Sequence, residues 1–177
     1  FAMSRSAKTV HETQLGLRRF FRFLVGEGKI SDDPTRDVKT VRYEVRPQPT
    51  YTSDEVRQLL SGCDLSTRFG VRDFAMVTVL YDTGVRTSEL VSMNLPDRKR
   101  RRVRVDGKTG VRIAPLGKAS LQAIDNYVDR WNIGDGNLWR GKQGPLTGSG
   151  VFQLIRRLCN AAGVPDKGVH AFRRAAA

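Results

Sequence analysis

The chain has 177 residues, with 31 Lys and Arg against 18 Asp and Glu, and a formal charge of +13. Hydrophobic residues make up 39% of it, enough to build a core for one ordinary domain or one and a fragment, and no apolar run approaches a membrane span. A folded protein this basic attracts polyanions, nucleic acid foremost; an anionic membrane surface comes second, because no basic amphipathic anchor helix stands out.

Cys63 and Cys159 are far apart and show no metal-ligand spacing, which argues against a zinc site or a disulfide framework and fits a reducing cytoplasm. Phe1-Ala2-Met3 carries no signal-peptide pattern, and the residues ahead of Met3 read as a cloning remnant.

Thr9 to Gly26 reads as a helix. Leu15, Leu17, Phe20, Phe21, Phe23, Leu24 and Val25 give it a broad apolar face, and Arg18, Arg19 and Arg22 a basic one. Asp32-Asp33-Pro34-Thr35 turns the chain into a short segment ending at Val41. So much apolar surface needs partner helices, and the sequence ahead of it is too short to provide them. Residues 1–41 are therefore expected to be the latter part of a helical domain. Residues 42–52, charged and bearing Pro47 and Pro49, read as a linker, and residues 53–177 as a second domain.

Thr52-Ser53-Asp54-Glu55 opens the next helix, with Ser53 the expected cap and Val56, Leu59 and Leu60 inward. Ser66 to Leu80 reads as a helix buried on most faces, with Arg72 and Asp73 near its start. Gly84 ends it in a left-handed conformation. Arg86 then opens a short helix over Thr87 to Met93, with Glu89 one turn on. An arginine between apolar helices needs an anion: a bound phosphate satisfies that, and so does a plain surface pair with Glu89.

The run Arg98-Lys99-Arg100-Arg101-Arg102 suits DNA phosphates or a solvated basic face. It passes into a strand, Val103-Arg104-Val105, a tight turn at Asp106-Gly107, the loop Lys108-Thr109-Gly110, and a return through Val111-Arg112-Ile113-Ala114. Lys108 is thus expected at a hairpin tip. A helix over Ala119 to Trp131 follows, then a glycine-rich segment over 132–150. Val151 to Ala162 is helical, with Arg156 and Arg157 outward, and a last helix begins near His170. His170 and Arg173, three apart, share a face. The fold class expected is mainly α with a small antiparallel sheet, α+β.

Four stretches then carry a family likeness: Leu80-Tyr81-Asp82-Thr83-Gly84-Val85-Arg86-Thr87-Ser88-Glu89-Leu90, Val103 through Gly110, Ile113-Ala114-Pro115-Leu116-Gly117, and His170-Ala171-Phe172-Arg173-Arg174. From about Ser6 to its end the chain resembles the tyrosine recombinases, the phage-integrase and Xer-like site-specific DNA recombinases. The resemblance implies that Arg86 is the first catalytic arginine, with Glu89 its acidic neighbour. It makes Lys108 the hairpin lysine, and His170 and Arg173 the His-x-x-Arg pair. It also implies a core-DNA-binding domain over 1–41 and a catalytic domain over 53–177. Arg18, Arg22, Arg98, Lys99, Arg100, Arg112, Arg156 and Arg157 are the expected DNA contacts.

In such chemistry a tyrosine hydroxyl attacks a backbone phosphate, forming a 3′-phosphotyrosine and releasing a 5′-hydroxyl. Arginine forks suit the charge that builds on the non-bridging oxygens. A lysine suits protonation of the departing oxygen, and a histidine suits proton handling near neutral pH. The phosphotyrosine conserves the bond energy, so neither metal nor other cofactor is implied.

The hairpin region is shorter than the family's usual pattern. The chain also ends four residues after Arg173, whereas the family places a second His or Trp and the nucleophilic tyrosine further on. Tyr43, Tyr51, Tyr81 and Tyr127 all read as structural, so a fragment lacking its nucleophile is expected, inactive in cleavage. Its implied partners are duplex DNA and other protomers, a tetramer on DNA for the full-length protein, with no membrane. Its implied place is the cytoplasm: the bacterial nucleoid, or the host cytoplasm for a phage protein. Two alternatives stand beside this: a module that binds DNA without cutting it, and a basic helical protein of another class, such as an RNA-binding factor.

Overall fold

A computed structural model of the chain describes residues 5–45, 47–108 and 110–175. Phe1-Ala2-Met3, Arg46 of the expected linker, Thr109 of the expected loop, and Ala176 and Ala177 of the expected mid-helix ending lie outside the described residues. The chain divides into two compact units, Phe1–Pro47 and Gln48–Ala177.

The first unit is built on α1 (Ala7–Gly26), whose N-terminus is capped by the Ser6 side chain accepting from the Thr9 N–H. The segment after the Asp33–Thr35 turn runs back beside this helix. Gln14 clamps it by donating to the Lys39 carbonyl and accepting from the Val41 N–H. His11 bonds the Val41 carbonyl and sets its ring edge-on to Tyr43. None of α1 is fully buried, and Leu17, Phe20 and Phe23 are exposed. The apolar face expected from the sequence is therefore present.

The second unit is mainly helical. In order it comprises α2 (Ser53–Ser61), α3 (Arg68–Thr83), α4 (Thr87–Val91), β1 (Arg102–Gly107), β2 (Gly110–Pro115), α5 (Lys118–Trp131), β3 (Arg140–Gly141), β4 (Gly144–Pro145), α6 (Gly148–Ala162) and α7 (His170–Ala175). Its sheets are two antiparallel pairs, β1 with β2 and β3 with β4. The fold is thus mainly α with small antiparallel sheets.

The axis of this unit is α3, which packs against α2, α5 and α7. Its run Ala75-Met76-Val77 and the pair Val79-Leu80 are fully buried, as an apolar helix with neighbours on several sides must be. Gly70 is required near its start: a Cβ there would stand 1.9 Å from the Asp64 carbonyl oxygen. At its other end Gly84 adopts φ +56°, the left-handed residue that stops the helix. Asp82 then ties α3 to the start of α5, accepting from the Gly117 N–H and the Ser120 hydroxyl, both at 2.7 Å.

Three local expectations change. The cap of α2 is Thr52 rather than Ser53: its hydroxyl accepts from the Glu55 N–H while the Glu55 carboxylate accepts from the Thr52 N–H, a reciprocal capping box. The hairpin is longer than expected, because Asp106 and Gly107 still pair, with Val111 and Gly110, and the turn falls at Lys108. The glycine-rich segment is not all surface. Leu138 and Trp139 within it are fully buried, Trp139 stacking on Tyr127 at 5.3 Å. The Tyr127 hydroxyl donates to the Leu138 carbonyl and accepts from the Arg140 N–H, so this loop is pinned by both ring burial and backbone bonds.

Candidate phosphate-binding site

The site grows from the turn that joins α3 to α4. Gly84 sends the chain out of α3 and Val85 plugs into the core, which leaves Arg86 as the N-cap of α4 with a half-exposed side chain. Glu89, one turn later, is 1% exposed, a depth at which a carboxylate must be fully hydrogen-bonded. It is. Its Oε2 accepts from the Arg86 backbone N–H at 2.8 Å and from Arg112 Nη2 at 2.8 Å. Its Oε1 accepts from Arg86 Nη1 and Arg112 Nε, both at 3.1 Å. The Arg112 fork, followed by the Arg86 bonds, outweighs the burial penalty and holds the Glu89 carboxyl down at about 2, and the Arg112 guanidinium is correspondingly raised. Glu89 is thus a permanent anion at neutral pH.

The hairpin is fastened to the same carboxylate. Gly107 approaches so closely that a Cβ there would lie 3.0 Å from Glu89 Cγ and 3.1 Å from Oε1. Ser92 supplies a second fastening: its hydroxyl lies within bonding distance of the Asp106 N–H and carbonyl and of the Glu89 carbonyl. Lys108 is the next residue after Gly107, exposed at the turn, with no hydrogen-bond partner among the described residues.

The third contribution comes from α7. Val169, Ala171 and Phe172 are buried, Phe172 with its ring centroid 4.5 Å from that of Tyr51. That anchor turns His170 and Arg173 to the other side of the helix. Arg173 Nη1 donates to the Gly84 carbonyl at 2.9 Å, so it reaches the very turn that carries Arg86. His170, at the first residue of α7, is exposed, and its ring has no hydrogen bond among the described residues. Lys167 holds the approach to α7 through the Glu55 carboxylate and the Thr50 carbonyl, and Arg174 bonds the Pro49 carbonyl.

Arg86, Glu89, Arg112 and the hairpin base therefore meet at one place, and Arg173 joins them through Gly84. Arg86 spends one guanidinium N–H on Glu89; its others have no acceptor among the described residues. Arg86, Arg112 and Arg173, with Lys108 at the hairpin turn, bring more positive charge to these elements than their one buried carboxylate, Glu89, offsets. A cluster with that excess and spare forked donors is suited to a phosphate.

The remaining expected DNA contacts belong to other elements. Arg18 and Arg22 belong to α1, Arg18 donating to the Val38 carbonyl. Arg98 pairs with Asp125 at 2.6 Å, while Lys99 and Arg100 are exposed on the turn before β1. Arg156 is exposed on α6. Arg157, expected outward, does reach the surface but pairs with Asp73, a buried carboxylate that Arg72 also holds. The link from Arg112 to Glu89 was not anticipated. Strand alternation carried a signal for it: Arg112 lies two residues before the buried Ala114, and an arginine on a core-facing register needs an acidic partner.

None of three tyrosine hydroxyls is free. Tyr51 lies 3.4 Å from Cys159 Sγ and accepts from the Lys167 N–H, Tyr81 lies 2.9 Å from the Ser53 hydroxyl, and Tyr127 is bonded as described above. Tyr43 belongs to the first unit, half-buried against His11.

Residues 49–177 match the family model described as the phage integrase family. The chain is 36% identical over 128 residues to tyrosine recombinase XerD of Listeria monocytogenes serotype 4b (strain F2365), an overlap covering 71% of this chain and 43% of that protein. It is 31% identical over 183 residues to tyrosine recombinase XerC of Roseiflexus castenholzii (strain DSM 13941 / HLO8), covering 95% and 58%. The chain thus spans about half the length of these curated relatives.

In fold it is similar to the Tn1549 transposon integrase in complex with a circular intermediate DNA, with a TM-score of 0.77 at 18% identity over 99% of this chain and 67% of that one. It is also similar to a lambda integrase dimer bound to a core site, with a TM-score of 0.74 at 20% identity over 96% and 51%. A family model covering residues 49–177, together with relatives above 30% identity, leaves one assignment. The chain belongs to the phage integrase family.

Proposed function

We propose that the second unit is the phosphate-gripping part of a site-specific DNA recombinase that breaks and rejoins duplex DNA through a 3′-phosphotyrosine. In this proposal Arg86 and Arg173 hold the non-bridging oxygens of the scissile phosphate and stabilise the charge that grows there. Lys108, carried on the hairpin, protonates the departing 5′-oxygen. His170 handles the proton at the nucleophile or the phosphate. Glu89 takes no part in proton transfer, since its carboxyl lies far below neutrality; it fixes Arg86 in place.

The observation that carries the proposal is the convergence on one turn: Arg86 grows from it and Arg173 hydrogen-bonds its Gly84 carbonyl. The partners proposed are duplex DNA, bound also by Arg18, Arg22, Arg98, Lys99, Arg100 and Arg156, and other protomers in a tetramer on DNA. The proposed location is the cytoplasm, in contact with the nucleoid. Among the described residues no helix is long and apolar enough to cross a membrane.

A second possibility is supported by the tyrosines. With the Tyr51, Tyr81 and Tyr127 hydroxyls engaged, the 177-residue chain by itself acts as a module that binds DNA without cutting it. One experiment separates the two. The 177-residue chain and the product of its uninterrupted reading frame are each incubated with a nicked duplex that traps covalent intermediates, then run on a denaturing gel. A covalent band from the reading-frame product, lost in Arg86→Ala, supports the recombinase. A band from neither supports the module. A band from the 177-residue chain means that one of its four tyrosines is the nucleophile.

A further inference from the structure

We infer that Arg112, on the return strand of the hairpin, is a positioning residue: it acts on the bound phosphate through Glu89 and Arg86 and does not grip a phosphate itself. The inference rests on the proposed role of Arg86 as a phosphate ligand. It begins with a difference in how the two arginines meet Glu89. Arg112 commits Nε and Nη2, one whole edge of its fork, to the two carboxylate oxygens at 3.1 and 2.8 Å. Arg86 commits one Nη1 at 3.1 Å from its side chain and a backbone N–H at 2.8 Å. The bidentate edge of Arg112, the edge best shaped for an anion, is thus already filled by a carboxylate, while Nε on the corresponding edge of Arg86 has no acceptor among the described residues.

Glu89 itself is held from several sides. It is 1% exposed, its carboxylate accepts four hydrogen bonds, and Gly107 leaves so little room that a Cβ there would stand 3.0 Å from its Cγ. Its two oxygens are shared between a strand and a helix start, so the carboxylate works as a rivet. Arg112 presses it from the hairpin, and it in turn sets the rotamer of Arg86. The same rivet sits beside Lys108, since Gly107 against the carboxylate and Ser92 against Asp106 fix the base of the turn that carries the lysine. Loss of the Arg112 fork leaves a buried carboxylate with only the Arg86 bonds, and Arg86 is then drawn inward to satisfy it. The expected consequence is the loss of one phosphate contact that Arg112 never made.

The test uses the whole 177-residue chain, a fluorescent intact duplex of about 30 base pairs, and binding measured across a salt series, where each phosphate contact adds about 0.9 to the slope of log affinity against log salt. Arg86→Ala should make the slope shallower by about one. Arg112→Gln should do the same, Arg112→Lys should restore only part of it, and the double variant Arg86→Ala/Arg112→Gln should match Arg86→Ala alone. A merely structural role would lower the melting temperature and leave the slope unchanged, so melting curves are recorded for every variant.

If the double variant loses a second unit of slope, Arg112 grips a phosphate of its own and the inference is overturned. If Arg112→Gln leaves the slope as in wild type while Arg86→Ala changes it, the inference fails and the phosphate role of Arg86 stands. If Arg86→Ala itself leaves the slope unchanged, that role fails and the inference falls with it.

Discussion

Replacing Glu89 by Gln removes the buried negative charge of the cluster with almost no change of shape, and the structure sets the size of the effect. The carboxyl titrates at about 2 in the folded chain against 4.5 in the ordinary state. At about 1.36 kcal/mol per pH unit, that difference stabilises the folded protein by roughly 3 kcal/mol at neutral pH. The folded value is the depressed one, so this stabilisation is complete above about pH 5 and is lost as the pH falls through 4.5 toward 2. By pH 3 the loss should be about 2 kcal/mol, because the unfolded carboxyl is then mostly protonated and the folded one is not.

Urea unfolding of wild type and Glu89→Gln at pH 7 and pH 3 measures it. Both proteins lose stability on acidification, since Asp33, Glu55 and Asp64 also have lowered carboxyls that cancel in the comparison. Wild type should lose about 2 kcal/mol more than the variant. Equal losses would refute the account of Glu89 as a buried anion held by Arg112 and Arg86.

Other outcomes follow from other parts of the second unit. Asp73→Ala strands Arg72, whose side chain is 6% exposed, and should destabilise by about 3–5 kcal/mol in thermal melts, whereas Arg157→Ala, with a side chain 61% exposed, should fall under about 1 kcal/mol. Phe172→Ala empties a fully buried ring site under α7 and should destabilise by about 3–5 kcal/mol; it should also weaken duplex binding, because His170 and Arg173 lose their anchor. Cys63 is buried and its thiol is pushed up to about 12 by desolvation, so a maleimide should label it in the native protein only as fast as the chain unfolds. Replacing Lys99, Arg100 and Arg101 by Ala should make the salt dependence of duplex binding shallower; an unchanged slope would mean that this turn faces away from DNA.

The parts of the second unit legible in the sequence were those with local signals. The apolar run of α3, the glycine that ends it, the hairpin and the amphipathic α6 follow from periodicity and turn chemistry, and their bounds shift by only a few residues. Pairings between distant positions were not legible, because one chain carries no local mark of them. Arg157 reaches the buried Arg72–Asp73 pair across 84 positions, and Arg112 meets Glu89 across 23. Trp139 was hidden for another reason. It stands among glycines that read as loop, yet its ring stacks on Tyr127 and the loop closes a gap beside α5. The capping box went to Thr52 because its hydroxyl sits three residues before Glu55, a spacing that Ser53 does not have.

The measurement that bears most directly on the central claim is an experimental structure of the 177-residue chain bound to duplex DNA. The account predicts one backbone phosphate accepting hydrogen bonds from the guanidinium groups of both Arg86 and Arg173, at about 2.7–2.9 Å. Lys108 should stand on the side of its 5′-oxygen. A complex in which Arg86 and Arg173 touch separate phosphates, or in which DNA leaves the Gly84–Arg86 turn uncovered, would contradict it.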